Sequence, residues 1–526
     1  MDTKRIRQKL LDLAIHGKLV SQDPTDEPAS ELLKRIHEGK LAMVERGELK
    51  PKDAGEDVFV FKGEDGLYYE QVEGKSAVLI DRQLQDLPTG WCWTRMNNIA
   101  YVAAGKTPSK ADFVDEGIPY FKMYNLRNQQ IDFEYSPQYV KPETHYGKLA
   151  RSRIHPGDLI MNIVGPPLGK MAIVPEDYPE ANTNQAAVVI RPYSADLPAI
   201  WLFYYLSEMS EIDSITTRGS AGQVNISLTQ SKSMFIAVPP AAEQKRIIAA
   251  LNDYIGLANE LEKCESELDD LVKKAKSKVL DLAIRGKLVT QNPEDEPASE
   301  LLARIHEEKL AMVERGELKP KDVKNDSVIY VGDDGRHYEQ VGNKHAVCIE
   351  DQIPFELPGG WAWSRLGSFS NYGETSSVSP DDIKQDDWVL DLEDIEKGTG
   401  KVLARITKSQ RPFTSTKRPF AKGQLLYSKL RPYLNKVLLA NEPGFCTAEI
   451  LPVDLYGQIS PAYMRHCMMS DYFLSYANQC SYGVKMPRLG ANDGRKALIP
   501  IPPLEEQKRI VEKINQLIEA LESVGA

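Results

Sequence analysis

Forty residues between 401 and 440 hold ten basic side chains, Lys401, Arg405, Lys408, Arg411, Lys417, Arg418, Lys422, Lys429, Arg431 and Lys436, and no acidic one. Phe413, Phe420, Tyr427 and Tyr433 are interleaved with them. A run of charge is commonly just a solvated face. Forty residues without an acid point instead to a polyanion, because phosphates need cations and the guanine edge takes a bidentate arginine. Lys485 and Arg488 extend this candidate set. Earlier in the chain Lys106, Lys110, Lys122, Arg127, Lys148, Arg151, Arg153 and Lys170 form a looser cluster. Gln223 and Asn225 of the sequence GQVN add amides able to read adenine.

Chemistry of other kinds finds poor support. AYVAAGKT at 100–107 fits a loose phosphate-loop pattern with Ala100 in place of the first glycine, but Pro108 and a polar stretch follow where a helix is required. VGPPLGK lacks the Asn/Asp-Pro-Pro-aromatic form of adenine methyltransferases. The eight histidines have no ligand-spaced neighbours, so no metal site is expected. Cys92, Cys264, Cys348, Cys446, Cys467 and Cys480 are scattered without a C-x-x-C pair, which argues against disulfides and zinc.

The elements that must position these residues come in duplicate. Residues 9–53 match 278–322 with seven differences at a constant offset of 269. Weaker likeness follows at LPTGWCWTR and LPGGWAWSR, at 157–174 and 423–440, and at IAVPPAAEQKRI and IPIPPLEEQKRI. A period this long means duplicated domains and excludes a solenoid. After the first EQKRI a heptad stripe runs through Ile247, Leu251, Ala258, Leu261, Leu268, Val272 and Val279. After the second it reads Ile510, Ile514, Leu517 and Leu521 before the sequence stops, and Leu10 and Leu13 supply the missing continuation at the other terminus. This predicts a circular, pseudo-two-fold repeat in which the central helix lies antiparallel beside the terminal helices.

Between the alike blocks lie unlike ones, about 92–238 and 362–500, with short apolar runs, turn residues and one helix each. They read as mixed α/β domains. The second carries 18 Lys and Arg against 14 Asp and Glu, the first 13 against 14, so of a net charge of −11 the remaining segments carry −14 and the acidity sits on the scaffold. The resulting organisation is 1–90 conserved, 91–240 variable, 241–360 conserved, 361–500 variable and 501–526 conserved. No apolar stretch long enough to span a bilayer occurs, and a cytoplasmic location with no membrane partner is expected.

The LDLAIHGKLV and LDLAIRGKLV blocks, the paired PP..EQKRI helix starts, and the GDLIMNIVGPPLGK and SKLRPYLNK stretches resemble the specificity subunits of type I restriction-modification systems, across essentially the whole chain. The resemblance implies two target-recognition domains, each reading half of a split double-stranded DNA sequence, separated by antiparallel helices. It further implies two modification subunits that use S-adenosylmethionine and two restriction subunits that use ATP and magnesium, with no cofactor or catalytic residue in this chain. The competing reading is a coiled-coil scaffold whose two domains bind proteins. The repeated segments 20–90 and 289–360 are additions whose role the resemblance leaves open.

Overall fold

The computed structural model of the protein describes residues 2–165, 167–215, 225–374 and 376–524. It divides into two compact units, 1–264 and 265–526. The elements that matter in unit 1 are α1 (Thr3–Ile15), α2 (Ala29–Glu45), β1 (Val58–Lys62), β2 (Tyr68–Val72), β3 (Val78–Leu79), β4 (Cys92–Arg95), β5 (Ala100–Ala104), β6 (Leu159–Asn162), β7 (Met171–Ile173), β8 (Ala187–Pro192), α3 (Ala199–Ser207) and β9 (Phe235–Val238). A 44-residue helix α4 (Ala241–Ile284) then runs through the boundary. Unit 2 repeats the plan with α5 (Ala298–Glu314), β10 (Ser327–Val331), β11 (His337–Val341), β12 (Val347–Cys348), β13 (Ala362–Arg365), β14 (Leu425–Ser428), β15 (Val437–Leu439), β16 (Ile450–Val453), α6 (Pro461–Met469), α7 (Asp471–Gln479), β17 (Leu498–Ile501) and α8 (Leu504–Val524).

Each variable domain is built on a small antiparallel sheet, ordered β7-β6-β8-β5 in unit 1 and β15-β14-β16 in unit 2. The strands are largely buried on both faces, so their sequences are mostly apolar, with Arg191 near the end of β8 an exception. Period-two alternation still sorts the side chains. Leu159, Met161, Val188 and Ile190 join the larger core with Trp201 and Leu202 of α3, while Ile160, Ala187 and Val189 join a second cluster with Phe121 and Phe133. Unit 2 repeats the division, with Leu425, Tyr427, Leu451 and Val453 on one side and Leu426 and Ile450 on the other. The chain enters and leaves each domain through a two-stranded ribbon, β4 with β9 and β13 with β17. A long helix follows each ribbon directly, α4 in the first unit and α8 in the second.

Helix pairing within each unit is antiparallel. Arg7 of α1 reaches Asn259 at 2.7 Å and Glu262, while Leu11, Ala14 and Ile15 share a core with Ile247 and Leu251. In unit 2 Lys276 meets Glu522 at 2.9 Å, and Leu280, Ala283 and Ile284 pack with Ile510 and Ile514. Each unit thus combines one EQKRI-type helix with one LDLAI-type helix. The seam expected from the heptads is uneven. Ile247, Leu251, Ala258, Ile510 and Ile514 are buried, Leu10, Leu13, Val272, Val279, Leu517 and Leu521 are half-buried, and Leu261 and Leu268 are 45% and 37% exposed. Residues 259–271 are exposed on every side.

The repeated insertions are a helix and a three-stranded sheet, α2 with β1-β2-β3 and α5 with β10-β11-β12. Buried cations dock them: Lys40 on Asp57, and Lys309 on Asp326 at 2.6 Å. Arg95 to Glu70 and Arg365 to Glu339 tie the sheets to the ribbons. Trp91 donates to Glu243, and Trp361 to Glu506, each at 3.0 Å. The second variable domain differs from expectation in carrying two helices where one was read. Ser470 breaks them because its backbone is extended, with ψ 153°, and its hydroxyl caps α7 by accepting from the N–H of Phe473. No helix among the described residues is long and apolar enough to cross a membrane.

Candidate nucleic-acid interface

The turn after β6 and the turn after β14 share two left-handed positions. Gly165 and Gly169 take φ of +84° and +71°, and their counterparts Arg431 and Asn435 take +51° and +48°. A second segment is stitched beside each turn by an isolated bridge, Val164 to Asn225 in unit 1 and Leu430 to Arg488 in unit 2. The adjoining hydrogen bonds match as well: the N–H of Ile226 donates to the Ile163 carbonyl at 2.9 Å, and that of Leu489 to Lys429 at 3.0 Å. Glycine reaches the left-handed region freely, whereas Arg431 is held there against its preference. The N–H of Arg431 donates to the Pro487 carbonyl at 2.7 Å, and its Nε–H is buried with no hydrogen-bond partner among the described residues.

Around that turn the surface is both basic and apolar. Tyr433, Tyr482, Val484 and Met486 are exposed, Val484 completely, and Lys485 stands among them. Large apolar side chains in water beside cations suit the sugar and base faces of a nucleic acid. Arg488 holds Glu449 at 2.8 Å, which raises its pKa, and Lys429 lies 3.9 Å from the same carboxylate. Burial pushes the Lys429 and Lys436 ammonium groups down, and Lys436 donates to the Leu392 carbonyl at 2.6 Å. The sequence reading singled out Lys485, Arg488, Arg431 and Tyr433 but passed over Tyr482, Val484 and Met486. A run of exposed-type residues around Gly483 was the available signal.

Several of the expected cations are committed elsewhere. Lys417 is only 5% exposed, forms an ion pair with Asp391 at 2.8 Å and sits over the Phe413 ring. Arg411 is clamped by Asp394, Asp391 and Glu393. Arg418 donates to the Ile450 carbonyl, and burial pushes its pKa down. Arg405 pairs with Glu442. The basic run is therefore free of acids along the chain and not in space, because Asp391, Glu393, Asp394, Glu442 and Glu449 come in from outside it.

In unit 1, Lys106 and Lys110 are exposed just beyond β5, and the Lys122 ammonium lies 5.8 Å from the Phe113 ring and 5.9 Å from that of Tyr124. Lys106 lies outside any phosphate loop: Gly105 hydrogen-bonds to Ala187, and the next helical segment is a single 3-10 turn at Lys110–Asp112. Arg127 stacks over Tyr135 at 4.1 Å and pairs with Asp132. Beside it Asn128 and Gln129 hold φ of +50° and +60° on an exposed turn, an amide pair that sequence reasoning missed. The Lys170 N–H donates to the Asn162 side chain, so this residue belongs to the turn itself. Arg151 lies apart, near the start of β5. Asn225 is in the bridge described above, and Gln223 lies outside the described residues.

Comparison with known proteins fits this duplicated architecture. A family model described as the type I restriction modification DNA specificity domain matches residues 88–268 and 365–525, which takes in both variable domains and the helices that follow them. The EcoAI type I restriction enzyme specificity subunit of Escherichia coli is 25% identical, with 98% of this chain and 89% of that protein covered. The EcoEI subunit of the same organism is 26% identical over 73% of this chain, and the match spans 65% of that relative's length. A chain in a solved type I restriction-modification assembly superposes with a TM-score of 0.50 at 17% identity, over 84% of this chain and 93% of that one, and so shares the fold. With the family model covering both halves of the repeat, the chain belongs to the type I restriction modification DNA specificity domain family.

Proposed function

We propose that the chain is the DNA-reading subunit of a cytoplasmic type I restriction-modification complex, and that each variable domain reads one half of a bipartite double-stranded target. One observation carries this: both units place left-handed residues and a bridge at matching positions, and fill them with different side chains, Gly165, Gly169 and Asn225 against Arg431, Asn435 and Arg488. A shared frame holding different contents is what two readers of different half-sites require. The candidate contacts are Lys106, Lys110, Lys122, Arg127 and Lys170 with the Asn128–Gln129 turn in the first domain, and Arg431, Tyr433, Lys485 and Arg488 in the second. The chain is non-catalytic. Modification subunits would bring S-adenosylmethionine and transfer methyl to adenine, and restriction subunits would bring ATP and magnesium, two of each as the family resemblance implies.

Exchange of residues 362–498 for the equivalent block of another such subunit tests the reading. The ribbon of β13 and β17 closes this block off, so the frame is retained. Sequencing of methylated sites in the host should show one half of the motif changed and the other intact. Changes in both halves would overturn the assignment of one domain to one half-site.

A further inference from the structure

Unit 1 contains a cavity of about 550 Å³ between the inserted segment and the variable domain. Its lining includes Lys50, Lys52, Lys148, Arg151, Arg153 and Arg191, against the single acid Glu48, which is already held by Arg46 at 2.7 Å. Among the described residues the side chains of Lys50, Lys52 and Arg151 have no ion-pair or hydrogen-bond partner, and all three are exposed. Lys148, Arg153 and Arg191 are anchored from behind by Asp112, Glu180 and Asp158. Arg153 nevertheless keeps a buried Nε–H without a partner among the described residues. His155, also in the lining, is pushed down by burial and by Arg191, so it offers a neutral ring rather than another charge.

We propose that this cavity binds a ligand bearing two or more linked phosphates. Cations held by carboxylates beside cations that are free give a site whose anchored half is organised beforehand, and a volume of this size suits a nucleotide-sized molecule. The cavity lies at the opposite end of the sheet from the turn at 163–170. Tyr101, paired in register with Arg191, is the second residue of β5, and Lys106 lies beyond its other end, about 16 Å away at 3.3 Å per residue. The ligand is therefore a phosphate compound in its own right, with the backbone of flanking duplex as the other source of the same chemistry. Among the described residues unit 2 does not repeat this basic lining, although it repeats the Lys-Pro-Lys segment at 319–321: strand register puts Asp454 where unit 1 has Arg191, which reverses the charge.

The test is calorimetric titration of the full chain with sodium tripolyphosphate, in buffer matched for ionic strength with sodium chloride. Saturable binding is expected, weakened at least about tenfold in Lys52→Ala/Arg151→Ala and unchanged in Lys34→Ala/Lys245→Ala, which removes two exposed charges elsewhere. Thermal melts establish that both variants are folded. If tripolyphosphate does not bind but the cavity variant lowers the salt slope of DNA binding by about one per cation removed, the phosphates come from the duplex. Absence of both effects, or equal weakening in the two double variants, overturns the proposal. The half-site reading stands or falls separately, because the domain exchange replaces the second variable domain and leaves the cavity of unit 1 untouched.

Discussion

Arg431 occupies a left-handed turn that glycine fills in the other unit, so a stability cost is retained at the centre of the candidate contact surface. Placing a non-glycine residue there costs about 1–2 kcal/mol, of which glycine's greater freedom in the unfolded chain returns about half. Arg431→Gly should raise stability by roughly 0.5–1 kcal/mol in urea titration while relaxing discrimination at one base pair, a loss of about 1–3 kcal/mol in competition binding. Unchanged specificity would remove Arg431 from the readers. Lys417 should behave oppositely. Lys417→Ala deletes a charged hydrogen bond to Asp391 and should lower stability by about 1–3 kcal/mol, with the salt slope of DNA binding unaltered. A slope reduced by one would restore it as a phosphate contact. At this scale the sequence told the sign of the charge and not its availability: Asp391 and Glu449 lie ten and nine residues outside the basic run, and only the fold brings them to Lys417 and Arg488.

The inserted elements are held by a buried ion pair as well as by apolar packing, and α5 shows the arrangement most clearly. Lys309 is 1% exposed and donates to Asp326 at 2.6 Å and to the Ser368 carbonyl at 3.0 Å. Burial pushes the Asp326 carboxyl up, and the lysine offsets only part of this. Lys309→Met leaves a buried carboxylate without its cation and should cost about 3 kcal/mol at pH 8. The sign with pH follows from the raised carboxyl. The folded state holds its proton to higher pH than the unfolded state, so stability is lost as pH rises through the folded pKa and regained as it falls. Melts of the variant should approach the wild type below the ordinary aspartate range, and a deficit constant with pH would assign the loss to packing alone. The elements themselves were legible in sequence because they repeat: α2 and α5, the β-hairpins, and the EQKRI helix starts appear at fixed offsets. The break between α6 and α7 was not, since Met468, Met469 and Phe473 continue an apolar pattern across Ser470 and only the cap marks the stop.

Across the whole molecule, the circular order of the repeat has a consequence for how the chain divides. Each unit contains both helix types, the ribbon, the variable domain and the insertion, although the sequence distributes those parts so that the first unit ends within α4 and the second begins there. The pairing that completes unit 1 is α1 against 241–264, anchored by Ile247 and Leu251, and the described apolar residues of its core all precede Cys264. A chain cut between Cys264 and Glu265 should therefore give a 1–264 fragment that folds alone, with one cooperative thermal transition followed by far-ultraviolet and near-ultraviolet dichroism together. The exposed leucines predict which positions matter to it. Leu257 and Leu261 are 55% and 45% exposed, so Leu257→Glu/Leu261→Glu should move its stability by no more than about 0.5 kcal/mol, whereas Leu251→Ala, fully buried, should cost about 2–5 kcal/mol. A fragment that melts without cooperativity, or that collapses on the glutamate double change, would mean that the fold of unit 1 depends on residues beyond its own boundary.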